Sequence, residues 1–262
     1  MIRSLSCGAA ALLALAACTA AVPPPPPADL SMAQPVATKL TGYLRPGDLD
    51  GKTILGPPPA ADSLQGKADR AIYEQTRALD GSPRWKLAQA DNDLWTGGAM
   101  NRFSCALGRQ IGPATTPATQ RLLHRVELDT RTVGTPPKDF YNRKRPPLGD
   151  TRPICVPREK WMETNASYPS GHSMAGWSWA LILAELQPAK ASELMVAGRE
   201  IGQSRVICGV HFQSDVAAGR QLASAMVARL HADPQFMSEL AAARAELAKA
   251  PATPPQGCAV YG

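Results

Sequence analysis

Apolar positions recur at helical spacing along most of the chain, and no run alternates convincingly at period two, so the pattern predicts an all-α fold. From Ser63, the positions Leu64, Ala68, Ala71, Ile72 and Leu79 fall on one helical face, and Asp80-Gly81 ends the run. Ser82-Pro83 is a cap followed by proline at the first helical position, opening a second helix expected to reach Leu94. Gly97-Gly98 precedes a short helix with Met100, Phe103 and Leu107 on its inner face. Thr116-Pro117 repeats the cap signal and opens a helix that points Leu122, Leu123, Val126 and Thr130 to the core.

Residues 134–168 are proline-rich, basic and poorly periodic, which predicts loop with short helical pieces. Ser173 to Leu186 is apolar nearly all round, the mark of a central buried helix, and Pro188 follows its end. Helices are expected from Ser192 to Ile207 and from Val216 to Leu230. Asp233-Pro234 caps a last one running to Ala250. The expected architecture is a single-domain helical bundle around the 173–186 helix. Residues 28 to about 60 read as irregular chain wrapped on it.

The first residues carry a different pattern. Arg3 precedes a short apolar run, Ala9 to Ala17, too short to span a bilayer as a helix. Leu15-Ala16-Ala17-Cys18 resembles a bacterial lipobox, which would make Cys18 the lipidated first residue of the mature chain; an ordinary signal cut near Ala20 or Ala21 is the alternative. Both predict export to the periplasm, with outer-membrane anchoring through Cys18 in the first case. Pro23 to Pro27 then reads as an extended spacer. The expected organisation is a signal peptide at 1–17, a proline-rich linker at 18–40, the folded domain at 41–250 and a tail at 251–262. Cys105, Cys155, Cys208 and Cys258 remain in the body, an even count that suggests two disulfides among three possible connectivities. Cys155 and Cys208 are one conceivable pair. No Cys-x-x-Cys suggests a metal.

Composition narrows the function. Hydrophobic residues at 44% and charged residues at 19% suffice for one sizeable core and exclude a wholly disordered chain. Aromatic content of 5% argues against a stacking reader of single-stranded nucleic acid. The net charge of 28 − 22 = +6 suits small anionic substrates.

Three segments concentrate cations, histidines and helix starts. Pro169-Ser170-Gly171-His172 opens the buried helix, where free amides and the positive end of the helix dipole favour an anion. His211 and Asp215 are four apart; on a helix they would share a face, and the carboxylate would fix the imidazole tautomer and leave the other nitrogen nucleophilic. Lys138, Arg145 and Arg205 could hold phosphoryl oxygens, arginine two at a time. Arg143 and Lys144 read as solvated charges that raise the local field only. His124 and His231 match no motif and are assigned to surface or helix structure.

Eleven positions in this order, Lys138, Arg145-Pro146, Pro169-Ser170-Gly171-His172, Ser204-Arg205, His211 and Asp215, resemble the signature of the type 2 phosphatidic acid phosphatase (PAP2)/vanadium haloperoxidase superfamily. Within it the chain is most similar to the class A bacterial nonspecific acid phosphatases, over about residues 40 to 250. That stretch includes the segment near Pro57, the helix with Tyr73-Glu74 and the run Ala180 to Leu186. Pro147 and Phe212 stand where relatives often carry other bulky residues, which touches substrate preference.

The resemblance implies an exported acid phosphatase of broad specificity for small phosphomonoesters. It implies a catalytic trio of His211 as nucleophile, His172 as general acid and base, and Asp215 orienting His211. Lys138, Arg145, Ser170, Gly171 and Arg205 would bind the phosphate. No metal or other cofactor and no nucleic-acid partner is expected, and a homo-oligomer is plausible. The alternatives are a vanadium-dependent haloperoxidase, which shares the anion pocket, and a non-catalytic periplasmic phosphate-binding lipoprotein, which would not need both histidines and Asp215 in register.

Overall fold

A central helix apolar on every side must be enclosed by other helices, and this requirement organises the fold. The computed structural model describes residues 40–261. The expected signal peptide at 1–17, the expected anchor at Cys18 and the expected Pro23–Pro27 spacer lie outside the described residues. Among those residues there are ten α-helices and no strand: α1 Gly51–Leu55, α2 Leu64–Thr76, α3 Pro83–Ala90, α4 Gly98–Leu107, α5 Pro117–Tyr141, α6 Trp161–Thr164, α7 Gly171–Leu186, α8 Ala191–Ile207, α9 Gln213–Leu230 and α10 Pro234–Lys249. No described helix is long and apolar enough to cross a membrane.

Helix α7 is the predicted central helix, burying Met174, Ala175, Trp179, Ile182 and Leu183 completely. It packs most extensively on α8 and α9, with α5 on another side. The α7–α8 contact is a glycine contact. A Cβ on Gly198 would stand 2.5 Å from Ala180 Cβ and 2.6 Å from the Gly176 carbonyl oxygen. At the start of α7, a Cβ on Gly219 of α9 would lie 2.6 Å from the Ser170 carbonyl oxygen. Small residues thus let three backbones converge at the end of α7 that carries Ser170, Gly171 and His172.

Capping follows the sequence in part. Ser63, Ser82, Ser170 and Asp233 accept first-turn amides of α2, α3, α7 and α10. Pro117 is the first residue of α5 as expected, but Thr116 does not cap it. The carboxylate of Glu246 from α10 takes the Ala118 and Thr119 amides instead, at 2.9 and 2.8 Å.

Several expectations are corrected. Residues 50–55 are not irregular: Asp50 caps the short helix α1. Helix α3 stops at Ala90, short of Leu94. Helix α2 buries a different face from the predicted one. Leu64 is 88% exposed and Ala68 and Ala71 are exposed, whereas Gly66, Asp69, Tyr73 and Arg77 point inward. Helix α5 does not end near 134 but runs through Pro136 and Pro137 to Tyr141. Pro137 lacks the N–H that would bond the Val133 carbonyl. Gly51 of α1 packs over that spot, where a Cβ would be 3.1 Å from both the Val133 oxygen and the Pro137 ring. Asn142, left-handed at φ 43, then closes the helix.

Among the described residues there are two disulfides, Cys105–Cys258 and Cys155–Cys208, with Cα separations of 5.4 and 4.6 Å. The first ties the stretch beyond α10 to α4. The second joins the loop before α6 to the end of α8.

Gly198→Ala tests the close approach. Higher helix propensity favours alanine by about 1 kcal/mol, but overpacking against a backbone costs about 1–3 kcal/mol. Urea denaturation is expected to show a net loss; an unchanged or higher midpoint would mean the α7–α8 approach has room to spare.

Candidate active site

Each signature residue is delivered by a helix end or the loop beside it. Lys138 lies in the last turn of α5, and Arg145 follows in the next loop. Ser170, Gly171 and His172 form the start of α7. Arg205 lies in the last turn of α8. His211 sits in the loop between α8 and α9, and Asp215 in the first turn of α9. His211 and Asp215 therefore do not share a helical face as their spacing suggested. Phe212 caps α9, and Asp215 reaches back to accept its N–H at 2.7 Å.

The structure brings these residues together. The Arg145 guanidinium lies 3.0 Å from His211 Nε2. A guanidinium can only donate, so Nε2 is the acceptor and carries the lone pair. Nδ1 then bears the proton and faces Ser167 Oγ at 3.4 Å and Asp215 Oδ2 at 3.6 Å. The second distance exceeds a hydrogen bond. Ser167 lies between them, donating to Asp215 Oδ2 at 2.5 Å.

His172 Nε2 donates to the Asn92 carbonyl at 2.9 Å, which leaves Nδ1 as its titrating nitrogen. Asn92 also accepts from Arg205 through its side chain at 2.7 Å. One residue after α3 thus ties the His172 side of the site to the Arg205 side.

The two arginines are buried, Lys138 is half-buried, and none of the three has a carboxylate partner among the described residues. Arg145 and Arg205 are 5% and 1% exposed, and neither they nor Lys138 form an ion pair among the described residues. Backbone carbonyls and amides hold them instead. Arg145 donates to the Asn165 carbonyl at 2.7 Å, to Asn165 Oδ1 at 2.9 Å and to the Val210 carbonyl at 2.9 Å. Lys138 donates to the Ala166 carbonyl at 2.8 Å. The Arg205 Nε–H is buried with no partner among the described residues. Burial pushes Lys138 down to about 7, Arg145 to about 10 and Arg205 to about 9; Arg145 adds to the effect at Lys138 and Arg205, and Asp215 opposes it at Lys138 and Arg145. Burial and the same cations hold both His172 and His211 well below 6.5.

Ser170 Oγ accepts from the Ser173 amide at 3.4 Å, so its own proton remains available to a ligand. A Cβ on Gly171 would meet nothing within 4 Å, which leaves the start of α7 open. This cluster of donors matches the oxygens of one tetrahedral oxyanion. Among the described residues no three His, Cys, Asp or Glu side chains form a metal-binding group.

Sequence reasoning missed the residues that hold the site. Asn92, Asn165 and Ser167 belong to loops without periodicity, and only Asn165 and Ser167, beside Pro169-Ser170, had a local cue. Ser204 of the signature faces away, donating to Asp91 Oδ2 at 2.6 Å in a buried pair with Arg102. Arg143 is the main correction. Its side chain is 11% exposed and pairs with Asp215 and Asp69, so it is not a solvated charge; Lys144 is exposed as expected. His124 lies on α5 beside Trp95, and His231 ends α9 paired with Glu185.

Residues 128–236, which contain the whole signature, match the profile of the PAP2 superfamily. An acid phosphatase of Zymomonas mobilis is 39% identical over 203 residues, 77% of this chain and 76% of the relative. A non-specific acid phosphatase of Providencia stuartii is 39% identical over 77% of this chain and 82% of its own length. One of Salmonella typhimurium is 40% identical over 76% and 80%.

Replacing Arg205 with methionine removes a desolvated charge that lacks a countercharge, so the ligand-free protein should melt higher. The same variant should lose most of the melting-temperature rise that inorganic phosphate gives the parent, about 2.7 kcal/mol at a hundredfold excess over Kd. A destabilised variant with an undiminished phosphate response would refute the cage.

Proposed function

The chain belongs to the PAP2 superfamily and, within it, to the class A bacterial acid phosphatases, and on that premise we propose that it cleaves small phosphomonoesters of broad chemistry through a phosphohistidine on His211, without a metal. The phosphoric monoester hydrolase activity belongs to the family; the route, the breadth and the metal independence are the proposal. The observation that carries it is the Arg145–His211 contact inside a cluster of donors with no carboxylate partner.

A phosphoryl group entering the cage competes for the guanidinium of Arg145. Its oxygens accept from Arg145, Arg205, Lys138, the Ser170 hydroxyl and the Gly171 amide. The lone pair on His211 Nε2 is thereby released and faces phosphorus. Attack forms the N–P bond as the ester P–O bond breaks, and the donors hold the charge spread over the equatorial oxygens. Ser167 and Asp215 on the Nδ1 side stabilise the imidazolium that results. His172 protonates the departing alkoxide from Nδ1, then takes a proton from the water that hydrolyses the intermediate.

The charges set the pH dependence. His211 must be neutral and His172 protonated. With its pKa far below 6.5, His211 keeps its lone pair in acid. His172 is also depressed by burial and by Arg205, but a bound phosphate dianion pulls it back up. A bell-shaped profile on the acidic side of neutrality follows. Export to the periplasm, with or without a lipid on Cys18, remains part of the proposal; the two disulfides support it, since such bonds persist in oxidising compartments.

His211→Ala is expected to abolish hydrolysis of p-nitrophenyl phosphate with the melting temperature kept. His172→Ala should lower kcat/KM for alkyl phosphates by about 100-fold or more while sparing kcat/KM for p-nitrophenyl phosphate, whose leaving group needs no proton. EDTA should leave activity intact. Equal losses on both esters, or inactivation by EDTA, would overturn the assignment.

A further inference from the structure

Behind His211, on the side away from the cage, lies a polar chain that the signature does not contain. Arg143 donates to Asp215 Oδ1 at 2.6 Å, to Ser214 Oγ at 2.7 Å and to Asp69 Oδ2 at 2.9 Å. Asp69, on α2, also accepts the Ser214 amide at 3.0 Å and the Ser214 hydroxyl. Both carboxylates are fully buried. The Arg143 carbonyl accepts the Ser167 amide at 2.8 Å, and its guanidinium lies 4.3 Å from the Phe212 ring centre. Arg143 therefore fixes Asp215, Ser167 and the residue after His211 together.

This matters because Asp215 faces His211 Nδ1. An uncompensated carboxylate beside an imidazole favours the imidazolium, and an imidazolium has no lone pair for attack. The groups facing His211 are Lys138 from α5, Arg145 from the following loop, His172 from α7, Arg205 from α8 and Asp215 from α9. Those facing Asp215 are Arg143, Ser167 and Tyr168, with Lys138 and Arg145 on the cage side and Asp69 on the far side of Arg143.

We infer that Arg143 is a positioning residue: by neutralising and clamping Asp215 it lets that carboxylate orient the His211 ring without protonating it, so that the nucleophile stays neutral in acid. The inference rests on His211 as the nucleophile. The burial and cage cations that already depress His211 act in the same direction.

The test follows the His211 imidazole by NMR titration in the intact protein, together with the pH dependence of kcat/KM for p-nitrophenyl phosphate. Arg143→Met should raise the His211 midpoint by about one pH unit and move the acidic limb of kcat/KM upward with it. Arg143→Lys, which keeps the charge but not the two-carboxylate fork, should fall between parent and Met variant and serves if the Met variant does not fold. An unmoved imidazole with activity lowered equally at every pH would overturn the inference and leave Arg143 a purely structural residue. A moved imidazole with an unmoved acidic limb would uphold the electrostatic role while refuting His211 as the nucleophile.

Discussion

Buried positive charge that no carboxylate contacts directly is the constraint on which this structure turns. Arg145 and Arg205 lie almost wholly out of water, Lys138 lies beside them, and among the described residues none meets a carboxylate within ion-pair distance. Desolvating such groups costs several kcal/mol each unless hydrogen bonds compensate. The compensation here is backbone: the carbonyls of Asn165, Ala166 and Val210, with the amides of Asn165 and Asn92. What remains is an unspent set of donors, including the partnerless Arg205 Nε–H. A phosphoryl dianion satisfies that set, and the affinity so gained grows as charge builds on the oxygens during transfer.

The helices exist to hold this arrangement rigid. Gly176, Gly198 and Gly219 let α7, α8 and α9 approach until backbone atoms touch, which fixes the start of α7 relative to Arg205 and Asp215. Arg77 extends the same logic to the His211 loop. It donates to the Val206 and Ile207 carbonyls at the end of α8, at 3.2 and 2.5 Å, and stacks between Tyr73 and Trp85. Gly209, at φ 74, passes directly beneath its guanidinium, where a Cβ would be 2.4 Å away. The Cys155–Cys208 bond pins that loop from its other side. Two layers thus support His211: one that sets where it sits, and the Arg143–Asp215 layer that faces its Nδ1.

The parts of this design that rest on local chemistry were legible in the sequence. The cap at Ser170, the apolar run of α7 and the ordered set of cations and histidines depend on neighbours in the chain, and the structure gathers all of them. The failures share one cause. The buried face of α2 is not legible from apolar spacing, because its inward side carries Asp69, Tyr73 and Arg77, which look like surface residues until their partners on α9 and in the loops are known. Arg143 looks solvated in the sequence for the same reason. Helix α5 looks shorter in the sequence than it is because prolines normally stop helices, yet here Gly51 covers the carbonyl that Pro137 frees. Asn92 and Asn165 carry no periodicity; their value lies in meeting Arg205 and Arg145 across 113 and 20 residues.

The most direct test of the account is the fate of the phosphoryl group within one turnover. Acid- and base-stability typing with mass spectrometry of rapidly quenched enzyme should find a phosphate that is labile in acid, stable in base and confined to residue 211. Transfer from a chiral phosphorothioate ester to an alcohol should correspondingly proceed with retention at phosphorus, the product of two in-line inversions. Net inversion, or label on any other side chain, would contradict a cage built around an attacking imidazole.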